Sequence, residues 1–91
     1  MSDEAENARA TFEYFSNEYA QALQAYAAIE NQASTLLLMG HSDNLLLFID
    51  QFLAMATRVR DSALEKGEKN FAEWFAELVE KAEKLRTAVP Q

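Results

Sequence analysis

Two uninterrupted apolar blocks on either side of a short turn constrain this chain more than any other feature. Residues 36–39 and 45–49 are apolar throughout, and the sequence between them is Gly-His-Ser-Asp-Asn. Gly40 suits the left-handed conformation that closes a helix, and any of residues 42–44 can cap the next one. A single amphipathic helix carries apolar residues on one stripe only. Residues 36–49 therefore predict the corner of a helical hairpin, covered from more than one side and pressed against another chain.

The composition favours an all-α fold. Of the 91 residues, 49% are hydrophobic, only two are glycine, and the single proline is the penultimate residue. Ala, Leu, Glu, Lys and Gln dominate, and these are the residues with the highest helix propensity. We expect one helical domain over residues 1–91, with a modest core that would benefit from oligomerisation. The chain has no cysteine, so disulfides and thiolate metal sites are excluded.

The apolar positions recur in alternating steps of four and three residues, which is the heptad spacing of packed helices. Helix 1 is predicted as one helix of about 36 residues within 2–39, where neither Gly nor Pro occurs. A break near residues 16–17 or 31–32 would divide it in two. Its seam consists of Ala8, Phe12, Phe15, Tyr19, Ala22, Tyr26, Ile29, Ala33 and Leu36.

Two further helices follow the corner. Helix 2 is predicted from Asp43 or Asn44 to about Lys66, and helix 3 from Asn70, where Glu73 would complete a capping box. Their seams are Leu45, Ile49, Phe52, Ala56, Val59 and Ala63, and then Phe71, Phe75, Leu78, Ala82, Leu85 and Val89. Matching periods predict an antiparallel bundle of three helices, a long first helix with a helix 2–helix 3 hairpin, or four helices if the first is broken.

The predicted helix lengths do not match. Helix 1 would measure ~54 Å, against ~36 Å and ~28 Å for helices 2 and 3. The first turns of an unbroken helix 1 would overhang the hairpin and leave Phe12, Tyr14 and Phe15 in water. Because a second copy could cover these aromatic side chains, the sequence favours a homodimer.

The charge distribution limits the choice of partners. The net charge is −7, and residues 1–50 carry all of it, with eight acids and one base. Neither nucleic acid nor an anionic membrane is a suitable partner for such a surface. The longest apolar runs are five residues, far below the ~20 that a membrane span needs. We expect a cytoplasmic protein.

One face of helix 1 is polar but almost uncharged. It carries Ser16, Asn17, Gln21, Gln24, Asn31 and Gln32, interleaved with Ala20, Ala25, Ala27 and Ala28. Since a fully solvated helix face normally carries Lys and Glu, this composition favours contact with another helix. Trp74 flanks the seam of helix 3, where it would pack on helix 2 near Arg58 or Arg60 or serve as an anchor for a partner.

These patterns lead to a hypothesis of a small, non-enzymatic interaction, adaptor or regulatory protein. It would act through an apolar helical surface, on itself as a homodimer and on another protein. The predicted contact residues are Leu37, Leu38 and Phe48 at the corner, Phe12, Tyr14 and Phe15 in the overhang, and Trp74.

Two alternatives belong to other classes. The −7 charge would suit an acidic regulator that occupies the basic surface of a nucleic-acid-binding protein. A ligand- or metal-binding bundle would need polar groups converging on a pocket, and the seams offer only tyrosine hydroxyls. His41 is the single histidine, and bundle di-metal sites use repeated Glu-x-x-His pairs. We therefore expect no catalytic residues, metal ligands or cofactor.

Overall fold

The structure is a computed structural model that describes residues 2–90, with side chains from residue 3. Over this range the chain forms three α-helices and no strand: α1 (Ser2–Leu38), α2 (Ser42–Glu65) and α3 (Lys69–Ala88). The all-α bundle of three helices is thus confirmed. No helix within the described range is both long and apolar enough to cross a membrane.

Helix α1 is continuous through residues 16–17 and 31–32, where the sequence allows a break. Its 37 residues account for about 56 Å at 1.5 Å per residue. The molecule itself measures 57 × 17 × 15 Å. The protein is therefore a narrow rod whose length is set by α1, along which α2 and α3 fold back and forth.

Both turns have the same hydrogen-bonded form, a Schellman motif closed by glycine. In the first turn the backbone N–H of His41 donates to the carbonyl of Leu36 at 2.7 Å, and that of Gly40 donates to Leu37 at 3.2 Å. Gly40 has φ +77° and Gly67 has φ +75°, in the left-handed region that glycine enters without a steric cost. The prediction of Gly40 as a C-terminal cap is confirmed.

The predicted N-terminal caps are wrong. The cap residues are His41 for α2 and Glu68 for α3, and neither makes a side-chain capping hydrogen bond. In each turn the residue that completes the Schellman motif is also the N-cap residue of the next helix: His41 for α2 and Glu68 for α3. Ser42 and Asn70 are consequently already inside the helices, so the expected capping box at Asn70 does not form.

The core follows the heptad prediction closely on α2 and α3. All six predicted positions of α2 are buried, and on α3 only Leu85 is not fully buried, while Ala72 and Val79 widen the seam. On α1 only Phe15 and Ala22 are fully buried, and Tyr19, Tyr26 and Ile29 pack against the core from its edge. The long helix thus contributes fewer buried side chains than its regular pattern predicts.

The predicted overhang extends too far along the sequence. Phe15 is fully buried, and its ring stacks on that of Phe71 at the start of α3, with centroids 5.8 Å apart. Because α3 runs parallel to α1 and begins at this level, it covers the position expected to need a second copy. The part of α1 in which every residue is exposed is shorter, residues 3–10; we call it the N-terminal arm.

Candidate interaction surface

The corner exposes a concentrated group of large apolar side chains. Leu38 is 88% exposed and Met39 is 64% exposed at the end of α1, and Leu37 beside them is also exposed. On α2, Leu47 and Phe48 are exposed as well. Single exposed apolar residues are ordinary, but a contiguous group is typical of a binding surface.

The local sequence explains why these side chains remain uncovered. Successive residues of an α-helix point about 100° apart, so a run of four or five apolar residues surrounds the helix. Leu36 and Leu45 face the core, and their neighbours in each run must point elsewhere. The two-sided covering that the sequence predicts at the corner is not provided by the described residues of this chain.

A shallow groove between α1 and α2 begins at the corner. Its volume is about 400 Å³, and it is lined by Ala25, Ala28, Ile29, Gln32, Phe48, Gln51, Phe52 and Met55. We call this the α1–α2 groove. Phe48 belongs to both the groove and the corner, so the two form one continuous surface. Ala25, Ala28 and Gln32 come from the uncharged face of helix 1 that the sequence singles out.

The α1–α2 groove contains no charged side chain. Between Glu18 and the end of α1 the only charged residue is Glu30, and between Asp43 and Arg58 the only one is Asp50. Glu30 lines the opposite groove, between α1 and α3, beside Lys81 and Lys84. Asp50 pairs with Arg86 of α3, Nε to Oδ1 at 2.7 Å. Both acids are therefore directed to the α3 side of the rod.

The three predicted contact residues near the N-terminus differ in how far they are exposed. Phe12 is 56% exposed although its ring edge meets Phe71 at 5.4 Å. Tyr14 is half-exposed and lies 5.0 Å from Phe15. Phe15 itself is enclosed by the core, which removes it from any surface that a partner could reach in this conformation.

Trp74 packs against α1, whereas the sequence predicts that it packs against helix 2. Its indole packs against Tyr19 of α1, with ring centroids 5.5 Å apart, and against Phe71 at 5.2 Å. The prediction that it packs on helix 2 near Arg58 or Arg60 is wrong because the residue lies on the α1 side of α3. The indole remains partly exposed, and it is far from the corner along the rod.

Among the described residues no three His, Asp or Glu side chains are close enough together to hold a metal ion. Burial raises the pKa of Tyr26 above 10.0, and the negative charge of Glu30 adds to the effect.

The sequence analysis does not predict Met39, Leu47 or Met55 as surface residues, although the consecutive apolar runs contain the signal for the first two.

Comparison with known proteins adds no relative. No protein-family model, curated protein or solved structure gives a significant match to this chain.

Proposed function

We propose that this chain is a small, non-enzymatic helical interaction protein of the cytoplasm and that it associates as a homodimer. Its binding surface consists of the corner and the α1–α2 groove. The single observation that carries the proposal is the exposure of Leu38, Met39, Leu47 and Phe48, which all belong to the corner. Water around such a group of apolar side chains is released when another apolar surface covers it.

The charge and shape of the chain support a protein as the partner. The α1–α2 groove has neither charge nor a buried polar group that could orient a small molecule. The protein is acidic overall, which disfavours nucleic acid and anionic lipid. Helical surfaces that combine exposed Leu, Met and Phe bind the apolar face of another helix.

The test is the solution mass, measured by light scattering after size exclusion over a concentration series. A mass approaching twice 10.3 kDa as the concentration rises would support self-association. Leu38→Glu should shift the equilibrium toward the monomer, because a charge would replace an apolar side chain in the contact. Circular dichroism should show unchanged helix content, since Leu38 makes little contact with the core.

A matched control is available on the other side of the rod. Leu64 of α2 is 59% exposed and lines the groove between α2 and α3. Leu64→Glu introduces the same charge at an exposed leucine away from the corner, and it should leave the mass unchanged. A mass of 10.3 kDa at every concentration would remove the homodimer from the proposal, and equal effects of the two variants would remove the corner from it.

A further inference from the structure

The α1–α2 groove differs from the other surfaces of the rod in its electrostatic character. Glu30 and Asp50 are the only charged residues between Glu18 and the end of α1 and between Asp43 and Arg58, and both lie on the α3 side. Two copies of a chain with a net charge of −7 repel each other. The repulsion is weakest where neither copy presents a charge, so this is the face on which a second copy can approach at least cost.

The polar groups on the groove are complementary to themselves. Gln32 and Gln51 are exposed on its two walls, and an amide offers both hydrogen-bond donors and an acceptor. The same patch meets itself in a two-fold symmetric dimer. Amides and apolar groups satisfy that condition everywhere, whereas a carboxylate or an ammonium group close to the two-fold axis would face its own charge.

The shape of the groove is suitable for packing against another helix. Ala25 and Ala28 form a low wall on α1, while Phe48 and Met55 stand on α2. Small side chains let a second helix approach to the ~8 Å lower limit of interaxial distances. Larger side chains from the opposite copy can then fill the hollow between the two helices.

The area of this face is comparable with the area that one partner contributes to a standard dimer interface. Residues 21–39 of α1 span about 28 Å, and two adjacent helices are about 20 Å wide. Their outer face therefore has a projected area of roughly 560 Å². The accessible area is larger because it follows the relief of the side chains, and a standard interface uses ~800 Å² per partner.

We infer that a second copy of this chain covers the α1–α2 groove, forming an antiparallel dimer with Ala28 near its two-fold axis. This inference rests on the proposed self-association and names the face that carries it. The orientation follows from the charge of residues 3–18, which hold five acids and one base. An antiparallel arrangement places these segments at opposite ends of the dimer, whereas a parallel arrangement would put them side by side.

Two adjacent alanines of α1 provide a matched test. Ala28 lines the α1–α2 groove and Ala27 lines the groove between α1 and α3, and both are exposed. Ala28→Glu places two carboxylates near the axis without a partner, which should raise the dimer dissociation constant by roughly 100-fold or more. Ala27→Glu adds the same charge outside the contact and should change it by less than about threefold. Analytical ultracentrifugation measures both constants.

The outcomes separate this inference from the proposal beneath it. A dimer that Leu38→Glu weakens but Ala28→Glu leaves intact would overturn the α1–α2 face and retain the corner as the binding surface. A dimer weakened by Ala27→Glu and not by Ala28→Glu would place the contact against α3. A parent protein that is monomeric at every concentration would overturn the self-association itself.

The absence of cysteine allows a second measurement that adds no charge to the interface. Ala8→Cys in the N-terminal arm, carrying a spin label, reports the distance between the two arms of a dimer. Ala8 is twenty residues from Ala28, so an antiparallel dimer should give about 60 Å between the labels. A distance below about 30 Å in double electron–electron resonance would overturn the antiparallel arrangement.

Discussion

Arg86, near the end of α3, donates a hydrogen bond from Nε to Oδ1 of Asp50 in α2, at 2.7 Å. Within residues 2–90 it is the only ion pair that joins two helices, since the other two lie within α2 and within α3. The pair connects residues 36 positions apart in sequence. It also directs the only charge between Asp43 and Arg58 away from the α1–α2 groove.

We expect this ion pair to contribute little to stability. Both side chains are about half exposed, and exposed ion pairs contribute ~0–1 kcal/mol because water and salt screen them. Arg86→Gln should therefore lower the free energy of unfolding by at most about 1 kcal/mol, as measured by urea denaturation at a fixed protein concentration. Lys84→Gln is the control, because Lys84 pairs with Glu80 on the same helix. A loss above about 2 kcal/mol would show that Arg86 has a larger structural role than a surface contact.

The position of α3 along α1 predicts unequal costs for two nearby phenylalanines. Phe15 is fully buried against Phe71, whereas Phe12 is 56% exposed. Phe15→Ala should cost about 3–5 kcal/mol of unfolding free energy, the usual range for a buried phenylalanine. Phe12→Ala should cost roughly 1 kcal/mol or less, in proportion to the smaller area it buries. Comparable losses in urea denaturation would mean that α3 does not cover α1 at the level of Phe15.

This pair of residues also shows how far the sequence determines the fold. The heptad period identifies which side of each helix faces the core, and for α2 that prediction is confirmed at all six positions. A period is unchanged when one helix slides along its neighbour by a whole heptad, so it does not fix axial position. The start of α3 at the level of Phe15 therefore does not follow from the pattern, and the predicted overhang extends too far along α1.

The sequence predicts part of the candidate surface, as it predicts part of the fold. Consecutive apolar residues cannot all face one core, so the sequence alone identifies Leu37, Leu38 and Phe48 as surface candidates. The absence of charged side chains from the α1–α2 groove depends on the directions in which two acidic side chains point. Asp50 pairs with Arg86 of α3, and Glu30 lines the groove between α1 and α3; such long-range relationships are not encoded in local spacing.

Gly40 gives a prediction about the corner itself. An added Cβ at Gly40 would meet no other atom within 4 Å, so any loss on substitution comes from the backbone conformation at φ +77°. Gly40→Ala should cost about 1–2 kcal/mol, the penalty for a left-handed L-residue. Gly40→Asn should cost less, because asparagine tolerates this region.

A synthetic protein with D-alanine at position 40 is the control for the backbone argument. D-residues favour positive φ, so its stability in thermal denaturation should match or exceed that of the parent. Equal destabilisation by L- and D-alanine would point to a steric contact that the open space around Gly40 does not suggest.

Tyr26 predicts a loss of stability at alkaline pH. Its ring lies 5.6 Å from that of Phe52, and burial, with a further effect from Glu30, raises the pKa of the phenol above 10.0. Since the folded-state pKa is the higher one, the folded protein holds this proton more tightly than the unfolded chain does. The resulting stability is fully present below pH 10 and is lost as the pH rises through the folded-state pKa.

Tyr26→Phe removes the group that ionises and leaves the ring in place. The free energy of unfolding of this variant relative to the parent should therefore increase steadily above about pH 10. The comparison at pH 7 gives the cost of losing the hydroxyl itself. A difference that stays constant from neutral to alkaline pH in urea denaturation would show that Tyr26 ionises equally well in the folded and unfolded chains.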